Sequence, residues 1–161
     1  MVGLTPMFMI ARTLGLFNTR TILILMYTAT QVPFSVFLIT AFMRTISHEL
    51  EEAAFIDGAS PWLAFGKIVL PLVRPALVSA GIFAFLDFWS EYMYSLMFVT
   101  DNTKVTAAVK ILRFKASGSG VRVNWGETSA ACITFILPVI LVYVLFQKQI
   151  VGGLTAGSVK G

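Results

Sequence analysis

Two carboxylates four residues apart inside an apolar stretch are the first residues whose chemistry needs an explanation. Asp87 and Glu91 interrupt the run from Leu72 to Val99, whose only other charge is Arg74. Residues at i and i+4 of a helix lie on the same face. A carboxylate at membrane depth is costly unless it faces a cavity or a partner group. The pair therefore predicts either a polar path or a contact with another helix.

Aromatic side chains stand close to these carboxylates in the sequence. Trp89, Tyr92 and Tyr94 combine apolar faces with hydrogen-bonding rims, which suit sugars. Trp and Tyr near the end of a span also serve as interfacial anchors, and this simpler interpretation stays open. Gln31 is polar at mid-membrane depth, so we expect it to face the bundle interior. The candidates for a polar path through the membrane are Gln31, Asp87, Trp89, Glu91 and Tyr92.

The sequence predicts neither a catalytic centre nor a metal site. It contains no P-loop and no nucleophile paired with a base, and its single histidine, His48, has too few potential ligands nearby to hold a metal. We therefore expect no catalytic residue, no metal and no cofactor in this chain. The net charge of +4 does not indicate nucleic-acid binding, because the basic residues are scattered among loops.

The elements that must position these residues are membrane helices. The chain is 57% hydrophobic and only 12% charged, which is a membrane composition. Segments long enough to cross a hydrocarbon core of about 30 Å are Thr21–Met43, Leu72–Val99 and Thr128–Gln147. The apolar start before Arg12 is too short to cross. We expect an all-α polytopic membrane protein with three transmembrane helices and a partial N-terminal one, in a single domain over 1–161 that lacks its N-terminal part.

The segment 47–71 looks like soluble structure between the first two spans. Ser47 is a good N-cap and acids follow it, so a first helix should begin at about Ser47. Gly58 should end that helix in the left-handed conformation. Pro61 and the serine before it should begin a second helix, which we expect to stop at Pro71.

One face of the first helix carries small side chains in its middle. Leu50, Ala53, Ala54 and Asp57 follow the i, i+3, i+4, i+7 rule, so this face can approach another surface closely. An amphipathic hairpin on the lipid surface is the alternative. Helices that bind anionic lipid usually have a basic polar face, whereas this helix is acidic. The residues favour docking to a protein without naming the partner.

The loop also matches a spaced motif. The motif consists of E-A-A, three residues, G, nine residues, I, one residue and L-P. The residues of this chain that match it are Glu52, Ala53, Ala54, Gly58, Ile68, Leu70 and Pro71. This resembles the cytoplasmic EAA loop of ABC importer permeases, and the neighbouring Ile56 and Asp57 resemble its carbohydrate-uptake branch. The other segments that match the family are LGLFNT at 14–19, Pro33-Phe34, the W-x-E-aromatic element at 89–92 and the tail GLTAGSVKG at 153–161, which is similar to that of the maltose-type permease.

The resemblance implies a function for the loop. In this family the EAA loop is a coupling helix that docks into a cleft of the ATP-binding subunit and transmits the closure of the ATPase dimer. The docking surface it implies comprises Glu52, Ala53, Ala54, Asp57 and Gly58. It places 47–71 in the cytoplasm and 100–127 outside. The expected function is a permease subunit of a binding-protein-dependent carbohydrate importer in the plasma membrane of a bacterium or archaeon.

The resemblance also implies the partners. They are a dimer of ABC ATP-binding subunits that binds ATP and Mg, a second permease subunit, an extracytoplasmic sugar-binding protein and membrane lipid. An ABC permease for another small solute, such as a glycerol phosphodiester or a polyamine, is one alternative, and a truncated remnant that does not transport is another. An enzyme is the least favoured class.

The distribution of basic residues opposes this orientation. The positive-inside rule predicts that the more basic side faces the cytoplasm. On the side of the EAA loop the basic residues are Arg44, Lys67, Lys148 and Lys160, with Arg74 at the margin; on the other side they are Arg12, Arg20, Lys104, Lys110, Arg113, Lys115 and Arg122. Earlier spans usually dominate topology, so we give the loop motif precedence over this count.

Overall fold

The computed structural model describes residues 3–116 and 125–156. All regular elements in these residues are helical, which confirms the predicted fold class. In chain order they are α1 Leu4–Thr13, α2 Arg20–Met43, α3 Glu49–Ile56, α4 Pro61–Ala64, a π-helical segment Phe65–Val69, α5 Leu70–Ser90, α6 Met93–Phe98, α7 Ala107–Ala116 and α8 Trp125–Ala156. Residues 117–124 of the expected outer loop and 157–161 of the tail lie outside the described residues.

Three helices in the described part of the chain are long and apolar enough to cross a membrane, as predicted. They are α2, the continuous helix Pro61–Ser90, and Trp125–Gln149 within α8. The most apolar stretch of α8 contains no buried residue, and Leu141 and Leu145 on it are 60% and 64% exposed. Such exposure suits a helix whose surroundings are lipid or other membrane helices.

The predicted helix stop at Pro71 is wrong, because α4, the π-helical segment and α5 form one helix. A proline ring normally clashes with the carbonyl group four residues earlier. Here that residue is Lys67, and it lies inside the π-helical segment Phe65–Val69, whose wider turn leaves room for the ring. The second helix of the loop is therefore the beginning of the membrane span itself.

The other end of the predicted span Leu72–Val99 is also wrong. Helix α5 ends at Ser90, and the separate helix α6 follows. Between them, Glu91 Oε1 accepts the backbone N–H of Tyr94 at 2.8 Å. A side chain that bonds to the nearby backbone competes with helical hydrogen bonds. Glu91 therefore lies outside α5, and the expectation that it shares a helical face with Asp87 is wrong.

The chain forms two compact units. The first comprises Met1–Thr30 and Leu86–Leu141, and the second comprises Gln31–Phe85 and Val142–Gly161. The core of the first unit consists of Ala11, Ile22, Leu23, Phe98, Val99, Val105 and Val109. The core of the second consists of Val69, Val73 and Ala76, against which Ile39, Phe42 and Ile46 pack. Helix α7 lies within the expected outer loop, for which no helix was predicted.

Candidate coupling loop and translocation path

The coupling loop is a helix, a turn and a second helix. The predicted start of the first helix is wrong: α3 begins at Glu49, its N-cap is His48, and Ser47 Oγ accepts the N–H of Glu49 at 3.3 Å from one residue before the cap. Ser60 Oγ accepts the N–H of Leu63 at 3.4 Å, and Pro61 occupies the first helical position, as predicted. The start of the second helix is therefore fixed by local sequence.

Gly58 makes the turn between the two helices. Its φ of +82° lies in the left-handed region, which confirms the prediction. Its N–H donates to the carbonyl oxygen of Phe55 at 3.0 Å, and the N–H of Ala59 donates to that of Ala54 at 2.9 Å. A Cβ added at Gly58 would meet nothing within 4 Å. Glycine is therefore favoured by backbone conformation alone and not by lack of space.

Four of the five residues of the expected docking surface are exposed in the loop. Glu52, Ala53, Asp57 and Gly58 are accessible, whereas Ala54 is only 5% exposed. Helix α3 contacts α4 and the π-helical segment that follows it. The small side chain of Ala54 thus belongs to the packing of the loop and does not extend the open surface.

Two large apolar side chains of the loop are highly exposed, which the motif did not predict. Ile56 and Trp62 are each 85% exposed. Exposed apolar side chains that cluster on one element mark interaction surfaces more often than isolated ones do. Ile56 was predicted only as part of the carbohydrate-uptake pattern, and Trp62 was not predicted as an interaction residue.

Glu91, a candidate for the translocation path, makes two contacts within the first unit. Its Oε2 accepts the Tyr27 hydroxyl at 2.9 Å, and its Oε1 accepts the N–H of Tyr94. The Tyr27 ring also stacks on Phe88, with ring centroids 4.6 Å apart. Both carboxylate oxygens of Glu91 therefore join α2 to the start of α6, which favours the alternative interpretation that this carboxylate holds another helix.

Trp89 joins α5 to α8. Its indole Nε1 donates to the carbonyl oxygen of Phe135 at 3.0 Å, and the two rings stack with centroids 5.4 Å apart. Phe135 lies in the turn of α8 before Pro138. This hydrogen bond and the ring stacking hold Trp89 against α8 within the first unit.

We expect Trp89→Phe to lower the free energy of unfolding by about 1 kcal/mol, because the ring stacking survives and one interhelical hydrogen bond in the membrane is lost. Denaturant unfolding in detergent micelles measures the difference. Trp125→Phe is the matched control, since Trp125 is 69% exposed. Equal losses in the two variants would show that the hydrogen bond to Phe135 contributes nothing.

The remaining path candidates are not gathered in one cavity. Asp87 is exposed, and the Gln31 Nε2 atom is buried without a hydrogen-bond partner among the described residues. Tyr92 lines a cavity of about 490 Å³ that Cys132 also lines. Glu91 lines a different cavity, of about 430 Å³. The assignment of a path to these residues therefore stays a prediction.

Asn18 organises the segment after α6. Its place in LGLFNT did not predict this role. The residue has a φ of +61°. Its Oδ1 accepts the N–H groups of Thr100 at 3.1 Å and Asp101 at 2.9 Å, and its own N–H donates to the carbonyl oxygen of Phe98 at 2.9 Å. The Lys104 Nζ donates to the Asn18 carbonyl oxygen at 3.3 Å. We call these contacts the Asn18 clamp.

The clamp is continued by Asp101. Its Oδ1 accepts the N–H and the hydroxyl of Thr103 at 2.9 and 2.8 Å. These hydrogen bonds hold the pKa of the Asp101 carboxyl below its ordinary value, and the bond from the Thr103 backbone has the largest effect. Lys104 forms an ion pair with the same carboxylate at 3.4 Å. The turn before α2 and the loop before α7 are thus fastened to each other inside the first unit.

Comparison with known proteins places this architecture in a family. The family of binding-protein-dependent transport system inner membrane components matches residues 2–155. The chain belongs to this family. The resemblance to ABC importer permeases and the multi-pass membrane location are thereby confirmed, and the family is one of transport components rather than enzymes.

Relatives within this family carry names that refer to sugars. The trehalose transport system permease protein SugB of Mycobacterium tuberculosis is 40% identical over 98% of this chain and 57% of the relative. The diacetylchitobiose uptake system permease protein NgcG of Streptomyces coelicolor is 35% identical over 99% of this chain and 52% of the relative. The chain thus spans about half the length of these inner-membrane components.

A solved structure shows the same fold. A chain of a bacterial ABC transporter involved in the import of the acidic polysaccharide alginate superposes with a TM-score of 0.71 at 24% identity. The match covers 89% of this inner-membrane component and 55% of the solved chain. At this identity the similarity supports the helical arrangement alone.

Proposed function

We propose that the chain acts within the permease subunit of an ATP-driven, binding-protein-dependent carbohydrate importer. The observation that carries the proposal is the exposed coupling loop, in which the left-handed Gly58 presents Glu52, Ala53 and Asp57 to the surroundings. An acidic, small-faced helix next to exposed Ile56 and Trp62 suits a groove on another protein better than a lipid surface. Its partner in this proposal is the ATP-binding subunit.

The continuity of the loop with the span suggests how force is transmitted. Pro61–Ser90 runs as one helix from the coupling loop into the membrane. A displacement of the docked loop would therefore move the span as a connected rod and not through a flexible linker. The π-helical segment Phe65–Val69 is the one irregular turn on this route within the described helix, and π-helical turns frequently mark functional sites.

The remaining assignments follow the family pattern. ATP and Mg belong to a dimer of ATP-binding subunits, a second permease subunit completes the membrane part, and a sugar-binding protein delivers the solute outside. Carbohydrate is the favoured solute because two relatives are named for trehalose and diacetylchitobiose transport. The loop 47–71 is cytoplasmic in this assignment, and the Asn18 clamp lies on the side of the binding protein.

We expect Glu52→Lys to abolish co-purification of the full-length permease with its ATP-binding subunit, because a reversed charge would enter the docking surface. Arg44→Glu is the matched control: it also changes the charge by two, on the same side of the membrane, and Arg44 lies outside the motif. Retention of the ATP-binding subunit by Glu52→Lys, or its equal loss in both variants, would contradict docking through this face.

A further inference from the structure

A cavity in the second unit combines basic and apolar walls. It measures about 440 Å³ and is lined by Arg74 and Lys148 on its polar side and by Phe42, Pro71, Pro75, Ala76 and Val78 on its apolar side. Ser79 and Gln149 complete the lining. We propose that this cavity binds the phosphate headgroup of an anionic membrane phospholipid.

The two cations in the cavity have no acidic partner among the described residues. The ion pair between Lys104 and Asp101 lies in the other unit and involves neither Arg74 nor Lys148. Both Arg74 and Lys148 are exposed at the cavity. Two unpaired cations facing one space attract an anion, and an arginine beside a lysine offers both a planar fork and a point charge to phosphate oxygens.

A buried polar atom points to a ligand independently of charge. The Gln149 Oε1 atom is buried and has no hydrogen-bond partner among the described residues. A buried polar group without a partner costs free energy, so such a group calls for an explanation. A glycerol headgroup carries the hydroxyl donor that this oxygen lacks, next to the phosphate that the cations need.

The helices that carry the two cations are fastened to each other beside the cavity. Ser79 is 1% exposed, and its hydroxyl lies 2.8 Å from the carbonyl oxygen of Gln149 and 3.0 Å from that of Pro75. This contact joins α5 to α8 next to Lys148. The backbone positions from which Arg74 and Lys148 extend into the cavity are therefore set by packing.

The position of the cavity favours a lipid over a soluble phosphate. Lys148 directly follows the uncharged run 128–147 of α8, so it lies where the apolar part of that span ends. The apolar side chains that line the cavity, together with the 40% exposed Leu77 on α5, can contact acyl chains. Basic pockets between membrane helices are suited to phospholipid headgroups for this reason.

The test compares lipid binding by charge-matched variants. The full chain is titrated with phosphatidylglycerol in phosphatidylcholine nanodiscs, and the bound lipid is counted by mass spectrometry. At about one kcal/mol for each cation, Arg74→Gln with Lys148→Gln should weaken binding by roughly 30-fold. Arg44→Gln with Lys67→Gln, which removes the same charge outside the cavity, should leave binding within about twofold. Arg74→Lys with Lys148→Arg should retain it.

Three outcomes would overturn the proposal. Equal weakening in both double variants would mean that total charge and not the cavity retains the lipid. Displacement of phosphatidylglycerol by inorganic phosphate at millimolar concentration would assign the cavity to a soluble anion. Absence of the lipid from the assembled transporter, when the isolated chain retains it, would assign the cavity to a contact between subunits. The first two results do not depend on the proposed transport function.

Discussion

Replacing Gly58 by valine is expected to break the coupling between the permease and its ATP-binding subunit. The φ of +82° at this position costs a residue with a side chain about 1–2 kcal/mol, and a β-branched residue more. The turn that presents the docking surface would then be populated at least roughly tenfold less. Solute uptake and the stimulation of ATPase activity by the binding protein, measured on the assembled transporter in proteoliposomes, should fall together.

Two companion variants separate backbone strain from bulk. Gly81→Val adds the same side chain at a glycine inside α5 where a Cβ also meets nothing within 4 Å, so it should retain most activity. Gly58→Asn should retain most of it as well, because asparagine tolerates the left-handed region. ATPase activity that Gly58→Val leaves fully stimulated by the binding protein would sink the assigned role of this turn.

Local signals in the sequence predicted the loop well. Ser60 with Pro61 marks a helix start and Gly58 a helix end, because each acts on backbone groups within three residues. The three spans were predictable for a similar reason, since charge-free length is readable from the chain alone. The family was predictable because its motif lies in this same locally determined loop.

Features that depend on contacts between distant residues were not predictable. The stop at Pro71 was expected because proline usually ends a helix, and the π-helical turn before it has no clear sequence signature. Glu91 was assigned to the face of Asp87 because spacing does not reveal its hydrogen bond with Tyr27, 64 residues earlier. Arg74 and Lys148 also meet only in the folded chain.

The path candidates show how one residue type supports two interpretations. Trp89 and Glu91 were selected because polar groups in a span require partners. The structure supplies those partners within the chain, from Phe135 and Tyr27. Gln31 is different, since its amide nitrogen is buried and unpaired among the described residues. Of the five candidates, Gln31 is therefore the one with a buried polar atom that has no partner among the described residues.

The second large effect is expected at Asn18, where one side chain carries several contacts. Asn18→Ala should lower the free energy of unfolding by about 3 kcal/mol, from two lost hydrogen bonds at about 1 kcal/mol each and the cost of alanine at a φ of +61°. Denaturant unfolding in detergent micelles measures this loss. Hydrogen exchange should accelerate at the backbone amides of Thr100 and Asp101, which would lose their acceptor.

A graded series at Asn18 distinguishes its two contributions. Asn18→Gly removes the acceptor but relieves the backbone cost, so about 2 kcal/mol should be lost. Asn18→Asp keeps an acceptor for both amides and tolerates the left-handed region, so it should be the mildest of the three. The order Asp, Gly, Ala follows only if the side-chain oxygen and the backbone conformation both matter. Equal losses of unfolding free energy for Asn18→Gly and Asn18→Ala would contradict a contribution from the backbone conformation. No loss for Asn18→Gly would contradict a contribution from the hydrogen bonds of the Asn18 clamp.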